Sequence, residues 1–134
     1  MRVLIDTNVA IHLRDGAEAA VVRLAAMEAF PLLSIVSRVE LEGGVYRDPA
    51  RAPLLRPRLD LLLESLAVLP FGDPEAAAYG SIVERSGFSR VRILDRMIAA
   101  TALVHDATLI TFNGADFRDI AGLRLEEWPL GTGG

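Results

Sequence analysis

Arg2–Ala10 reads RVLIDTNVA, and this stretch decides the fold. An apolar run, Val3-Leu4-Ile5, stops at Asp6 and is followed by Thr7, Asn8 and a second apolar segment. The run is too short for a helix but long enough for a buried strand. Asp6 therefore stands where a strand ends and a helix begins, with Thr7 and Asn8 as further capping side chains. In open α/β sheets, ligands bind outside the carboxyl ends of the strands, which puts Asp6 at a candidate site. The competing reading is that Asp6 simply caps the next helix.

The bulk properties set limits. The 134 residues are enough for one domain with a sizeable core. The apolar fraction of 51% is slightly above the usual range, consistent with an Ala/Leu-rich core or a partner interface. No apolar run approaches the length of a membrane span, and the first residues do not form a signal peptide. The expected home is a prokaryotic cytoplasm. There is no cysteine, so disulfides and thiolate metal sites are excluded. The net charge of −4 argues against broad attraction to nucleic acid, though not against a local basic groove. All 14 basic residues are arginine. Arginine suits bidentate phosphate contacts, and a GC-rich genome gives the same bias.

Working outward, Asn8–Leu13 reads as a short helix and Ala17–Phe30 as a second, ended by Pro31. Leu32–Val36 is a strand, and Ser37 opens a helix over Arg38–Tyr46. Asp48–Arg58 holds three prolines and three arginines and reads as a hinge before an apolar helix, Leu59–Leu66. A third strand is expected at Ala67–Phe71. Asp73-Pro74 starts a helix with proline at its first position, and Gly87 stops it. Phe88–Leu94 is a loop carrying Arg90 and Arg92, and Asp95 leads the helix DRMIAATALVH. A fourth strand at Thr108–Phe112 turns through Asn113–Phe117 into a short helix, and Leu123–Trp128 is an edge strand. Residues 131–134 are expected to be a disordered tail after a single domain over 1–130. Strands alternating with helices give an α/β fold with a mainly parallel sheet and helices on both faces.

Four acids share a position. Asp6 ends the first strand, Glu40 lies early in the helix after the second, Asp95 opens the IAATAL helix, and Asp116 follows the fourth strand. A parallel sheet delivers such residues to one edge. Clustered carboxylates repel and raise one another's pKa, and a divalent cation with oxygen ligands, Mg²⁺ or Mn²⁺, relieves this. His12 and His105 lack partners at zinc-ligand spacing. Each acid also has a structural reading: Ser37 with Glu40 fits a capping box, Asp95 suits a helix N-terminus, and Asp116 suits an Asx turn. Glu42 competes with Glu40, since residues two apart on a helix point about 200° apart. Glu40 is preferred because Leu41 and Val45 form the face that buries. A bound metal would suit phosphodiester hydrolysis. A haloacid-dehalogenase-type phosphatase would need a second Asp where Asn8 stands, and no glycine-rich nucleotide loop is present.

The segments LIDTNVAI (Leu4–Ile11), SIVSRVELEGG (Ser34–Gly44), LDRMIAATAL (Leu94–Leu103) and LITFNGADF (Leu109–Phe117), in this order and spacing, resemble the PIN-domain family, most of all the VapC-type ribonuclease toxins. The resemblance implies a PIN-like three-layer sandwich with sheet order 3-2-1-4-5. It also implies a Mg²⁺- or Mn²⁺-dependent endoribonuclease. Asp6, Glu40, Asp95 and Asp116 map onto the acidic metal-binding set, with Thr7, Asn8, Ser37 and Asn113 as its polar support. Such proteins form homodimers and are blocked by a small VapB-type antitoxin. Arg90 and Arg92 would lie near the RNA path, and the stretch Arg51–Arg58 is a candidate part of the antitoxin groove. The rival from another class is a catalytically silent PIN-fold module that binds RNA or protein.

Overall fold

A computed structural model describes residues 1–130. The disordered tail expected at 131–134 lies outside the described residues. Five strands form one all-parallel sheet: β1 (Arg2–Ile5), β2 (Phe30–Ser34), β3 (Ala67–Leu69), β4 (Thr108–Thr111) and β5 (Leu125–Glu127). The order across the sheet is β3-β2-β1-β4-β5, as expected. β1 lies in the middle, and this explains its continuous apolar sequence: Val3, Leu4 and Ile5 are completely buried, because a central parallel strand has no solvent face.

The strand alternation divides the core in two. Val3 and Ile5 point to one face, with Leu33 and Ile110 beside them. That face is covered by α1 (Thr7–Arg14), α2 (Glu18–Ala26) and α4 (Ala52–Glu64). Leu4 and Leu109 point to the other face, packed under α5 (Asp73–Ser86) and α6 (Ile93–Val104). α3 (Ile35–Arg47) feeds both, giving Val36 to the second cluster and Leu41 and Val45 to the first.

Several element boundaries differ from the sequence reading. The second helix ends at Ala26, not Phe30, and Pro31 lies inside β2, where it pairs with Val3. β2 stops at Ser34, so Ile35 and Val36 are helical. Ser34, not Ser37, caps α3: its Oγ accepts from the Val36 N–H at 3.1 Å. Ser37 is thereby freed from capping.

The expected hinge at Asp48–Arg58 is mostly helix. A single 3-10 turn at Pro49–Arg51, capped by Asp48, leads straight into α4, which runs through Pro57. An interior proline costs a helix about 3 kcal/mol. Burial of Leu55, Leu59 and Leu62 along one face of α4 outweighs it, at about 1.5–3 kcal/mol per buried side chain.

β3 ends at Leu69, two residues short of Phe71, and β5 covers only the centre of the expected edge strand. Pro74 is the second residue of α5, not the first. Gly87 does close α5, at φ +82°, a conformation that glycine adopts without strain. A 3-10 turn over Arg90–Arg92 replaces the end of the expected loop, so that α6 begins at Ile93 and Asp95 is its third residue.

Candidate active site

The carboxyl edge of the sheet opens into a cleft of about 450 Å³, and Asp6, Glu40, Asp95 and Asp116 all line it. Topology brings them together. Asp6 follows β1, Glu40 lies in the second turn of α3 after β2, Asp95 lies in the first turn of α6, and Asp116 ends the 3-10 turn Gly114–Asp116 after β4. Asn8 and Asn113 line the same cleft.

Each acid is held differently. Asp6 is buried and is also the N-cap of α1, so the capping reading of its sequence position holds, at a position that lines the cleft. Its Oδ1 accepts from the Thr7 N–H at 2.8 Å, and its Oδ2 accepts from the Thr111 hydroxyl at 2.8 Å. Thr7 Oγ1 lies 2.8 Å from Glu40 Oε1 and 2.8 Å from Ser37 Oγ. A carboxylate only accepts, so the Thr7 proton goes to Glu40 and the Ser37 hydroxyl donates to Thr7. Glu40 is thus tied across the cleft to α1, and the capping-box reading of Ser37 with Glu40 does not hold. Asn113 Nδ2 donates to Asp116 Oδ2 at 2.7 Å. Among the described residues, the Asp95 carboxylate has no hydrogen-bond donor.

These differences appear in the acidities. Burial pushes the Asp6 carboxyl up; the Thr111 and Thr7 hydrogen bonds oppose this, while Glu40 and Asp116 add repulsion. Asp95 is pushed up to about 6, first by burial and then by the charges of Asp6, Asp116 and Glu40, with Arg92 opposing. The cleft therefore carries more negative charge than its own hydrogen bonds offset. Glu42, two residues from Glu40, faces away and pairs with Arg56 at 2.6 Å and Arg38 at 3.6 Å.

The two arginines expected near the RNA path sit differently: Arg92 is held beside the cleft and Arg90 lies outside its lining. Arg92 donates to the Asp116 carbonyl at 3.0 Å, and its guanidinium lies 3.5 Å from the Asp116 carboxylate, so it holds the acid wall. Arg90 is exposed and is not among the residues lining the cleft. Sequence reasoning missed Thr111. Its signal is register: Ile5 pairs with Ile110, which places the next residues, Asp6 and Thr111, side by side. It also missed Arg14, Arg47 and Arg51, which line the same cleft.

Among the described residues, no three His, Cys, Asp or Glu side chains form a ready-made metal cage. A closed zinc-type site is therefore a poor description. The donor set, all carboxylate and amide oxygens in an open cleft, suits a hard cation such as Mg²⁺, which keeps several waters and takes only one or two carboxylates.

The PIN domain family model matches residues 3–123. The chain belongs to the PIN domain family. Among curated relatives, Ribonuclease VapC1 of Rickettsia felis is 31% identical over 130 residues, 93% of this chain and 95% of the relative. Ribonuclease VapC10 of Mycobacterium tuberculosis (strain ATCC 25618 / H37Rv) is 36% identical over 115 residues, 83% of this chain and 82% of the relative. Among solved structures, DNA-bound VapBC from Salmonella typhimurium matches with a TM-score of 0.81 at 25% identity, covering 96% of this chain and 98% of that one. VapBC2 from Rickettsia felis, bound to a DNA fragment from its promoter, matches with a TM-score of 0.79 at 25% identity, covering 96% and 99%. Within the PIN family the chain groups with VapC-type proteins.

Proposed function

We propose that this PIN domain is a Mg²⁺- or Mn²⁺-dependent endoribonuclease and the toxin half of a toxin–antitoxin pair. Its relatives are named ribonucleases, and solved structures of its shape are VapBC complexes. The observation that carries the metal-dependent chemistry is the state of Asp95: without a donor, among three other carboxylates, and with its acidity depressed. A binding module has no use for that repulsion, whereas a cation site does.

In this reading Asp6, Asp95, Asp116 and Glu40 form the acidic set around the cation, one or two of them as direct ligands and the others through its waters. Once bound, the metal supplies charge neutralisation at the phosphate and a lowered pKa for an attacking water. Thr7 and Thr111 hold Asp6 rigidly, and Thr7 with Ser37 sets the position of Glu40. Asn113 and Arg92 hold Asp116. Without the cation the acids repel the phosphate backbone, so substrate binding and metal binding reinforce each other. The chain works in the cytoplasm as a homodimer, inhibited by a VapB-type antitoxin. Among the described residues, no helix is long and apolar enough to cross a membrane.

The test is cleavage of mixed RNAs by the purified chain. Cleavage in Mg²⁺ or Mn²⁺, its loss in EDTA and its loss in Asp6→Asn are expected. No cleavage across varied RNAs with either metal would favour the silent binding module. Growth arrest on expression of the chain alone, relieved by co-expression of an adjacent small reading frame, tests the toxin role.

A further inference from the structure

The lining of the cleft also carries charge of the opposite sign. Arg14 reaches it from the last turn of α1, Arg47 from the last turn of α3, and Arg51 from the 3-10 turn Pro49–Arg51. Arg47 and Arg51 are exposed, and among the described residues neither has an ion-pair partner. The Arg14 side chain is only 8% exposed. It is paired at two points with Asp15, through Nε at 3.0 Å and Nη2 at 3.4 Å, while Nη1 lies over the bare backbone of α3 at Gly44, 3.8 Å from where a Cβ would stand, so Arg14 is committed to the fold. The acid beside Arg47, Asp48, is occupied in capping the 3-10 turn, its Oδ1 accepting from the Ala50 N–H at 3.1 Å.

Favourable interaction with helix C-termini accounts for basic residues at Arg14 and Arg47. It does not account for Arg51, nor for the meeting of all three in the cleft that holds the carboxylates. Arg92 is already committed to Asp116. We propose that Arg47 and Arg51, the two arginines of this cleft unpaired among the described residues, form a phosphate subsite that takes the RNA backbone beside the bond being cut. The strand then leaves the carboxylates toward the α3–α4 corner, not toward the Arg90–Arg92 turn. The inference rests on the ribonuclease reading above. It adds a location and a chemical class of contact: guanidinium to phosphate, insensitive to base sequence.

The test uses the full chain with Asp6→Asn to prevent cleavage. Binding of short single-stranded RNAs of two unrelated sequences is followed by fluorescence anisotropy over a salt series. Adding Arg47→Ala and Arg51→Ala should weaken binding about tenfold or more for both sequences. The slope of log affinity against log salt should fall by about 1.4, as expected for two lost phosphate contacts on a single strand. Arg47→Lys with Arg51→Lys, which keeps the charge, should retain the slope. Arg85→Ala and Arg90→Ala, on the α5 side, should leave slope and affinity unchanged. RNA binding with an unaltered slope in the double alanine variant overturns the subsite and leaves the ribonuclease reading intact. The same slope loss from Arg90→Ala also overturns it. Failure of the parent chain to bind any RNA overturns the subsite, while metal-dependent cleavage by the chain with Asp6 restored reads the ribonuclease proposal separately.

Discussion

Glu40 and Glu42 sit two residues apart on α3 and meet opposite surroundings. Glu42 faces outward to Arg56 and Arg38, and the Arg56 hydrogen bond holds its carboxyl below the usual range. Glu40 faces a cleft with Asp6, Asp95 and Asp116, where Asp6 and Asp95 are pushed above that range. One helix thus carries one acid that strengthens the fold and one that belongs to a group straining it. Outside the cleft, charge is arranged for stability: Arg124 pairs with Asp106 and Arg118 with Glu127. Inside it, like charges are gathered, and Asp6 and Asp95 are pushed above their ordinary range. Like charges gathered at a sheet edge, at the expense of stability, are the physical mark of a site.

The largest expected effect is on catalysis. If the proposed metal-dependent reading holds, Asp6→Asn should lower RNA cleavage about a thousandfold or more, because several kcal/mol of transition-state stabilisation would then depend on the cation. Circular dichroism should show the fold retained, since an asparagine side-chain oxygen still accepts the capping bond from Thr7. Cleavage equal to that of the wild type would erase the distinction between the two acid groups.

Next comes stability and its pH dependence. Asp95 has an ordinary value of 3.8 and is pushed up to about 6 in the fold. Between those values the folded chain binds more protons than the unfolded one, so metal-free stability falls as pH rises through that window. Asp95→Asn lacks this slope. Melting curves of the two metal-free proteins should coincide near pH 4 and separate by pH 7, with the variant higher. Adding Mg²⁺ should stabilise the wild type by mass action and narrow the gap. A wild type more stable than the variant in EDTA at neutral pH would contradict the repulsion.

A smaller effect belongs to Thr111→Val, which removes the hydroxyl that lowers the Asp6 pKa. The acid limb of the pH–cleavage profile should move to higher pH, while a far-ultraviolet spectrum stays unchanged. An unmoved limb would mean that Thr111 does no more than pack. The smallest effect is expected at Glu42→Gln. Its pairs are on the surface and contribute under about 1 kcal/mol. Because the carboxyl sits below its ordinary value of 4.5, that contribution is full above this pH and fades as acid protonates it. Cleavage should be unchanged, and loss of cleavage would place Glu42 in the site.

Much of this was readable in the chain. A fully apolar run ending on a carboxylate is legible because a central parallel strand must be hydrophobic on both faces and must end at the ligand edge. The preference for Glu40 over Glu42 follows from helical period and from the burial of Leu41 and Val45. Gly87 as a helix stop is legible from its backbone freedom alone. What local signals misjudged was decided by packing. Prolines announced a hinge at Asp48–Arg58, but the buried leucines of α4 carried the helix through Pro57. Ser37 looked like a cap, but Ser34 took that place one turn earlier, and Ser37 turned inward to Thr7.

By itself, then, the sequence determined the alternation of strands and helices, the sheet edge to which the acids are delivered, and the family to which the chain belongs. These depend on periodicity and chain order, which are local. Only the tertiary structure decided which neutral and basic groups share the cleft with those acids: Thr111 across from Asp6 through strand register, Arg92 held against Asp116, and Arg14, Arg47 and Arg51 in the same lining. Such contacts join residues far apart in the chain, and their direction is set by how the helices settle on the sheet.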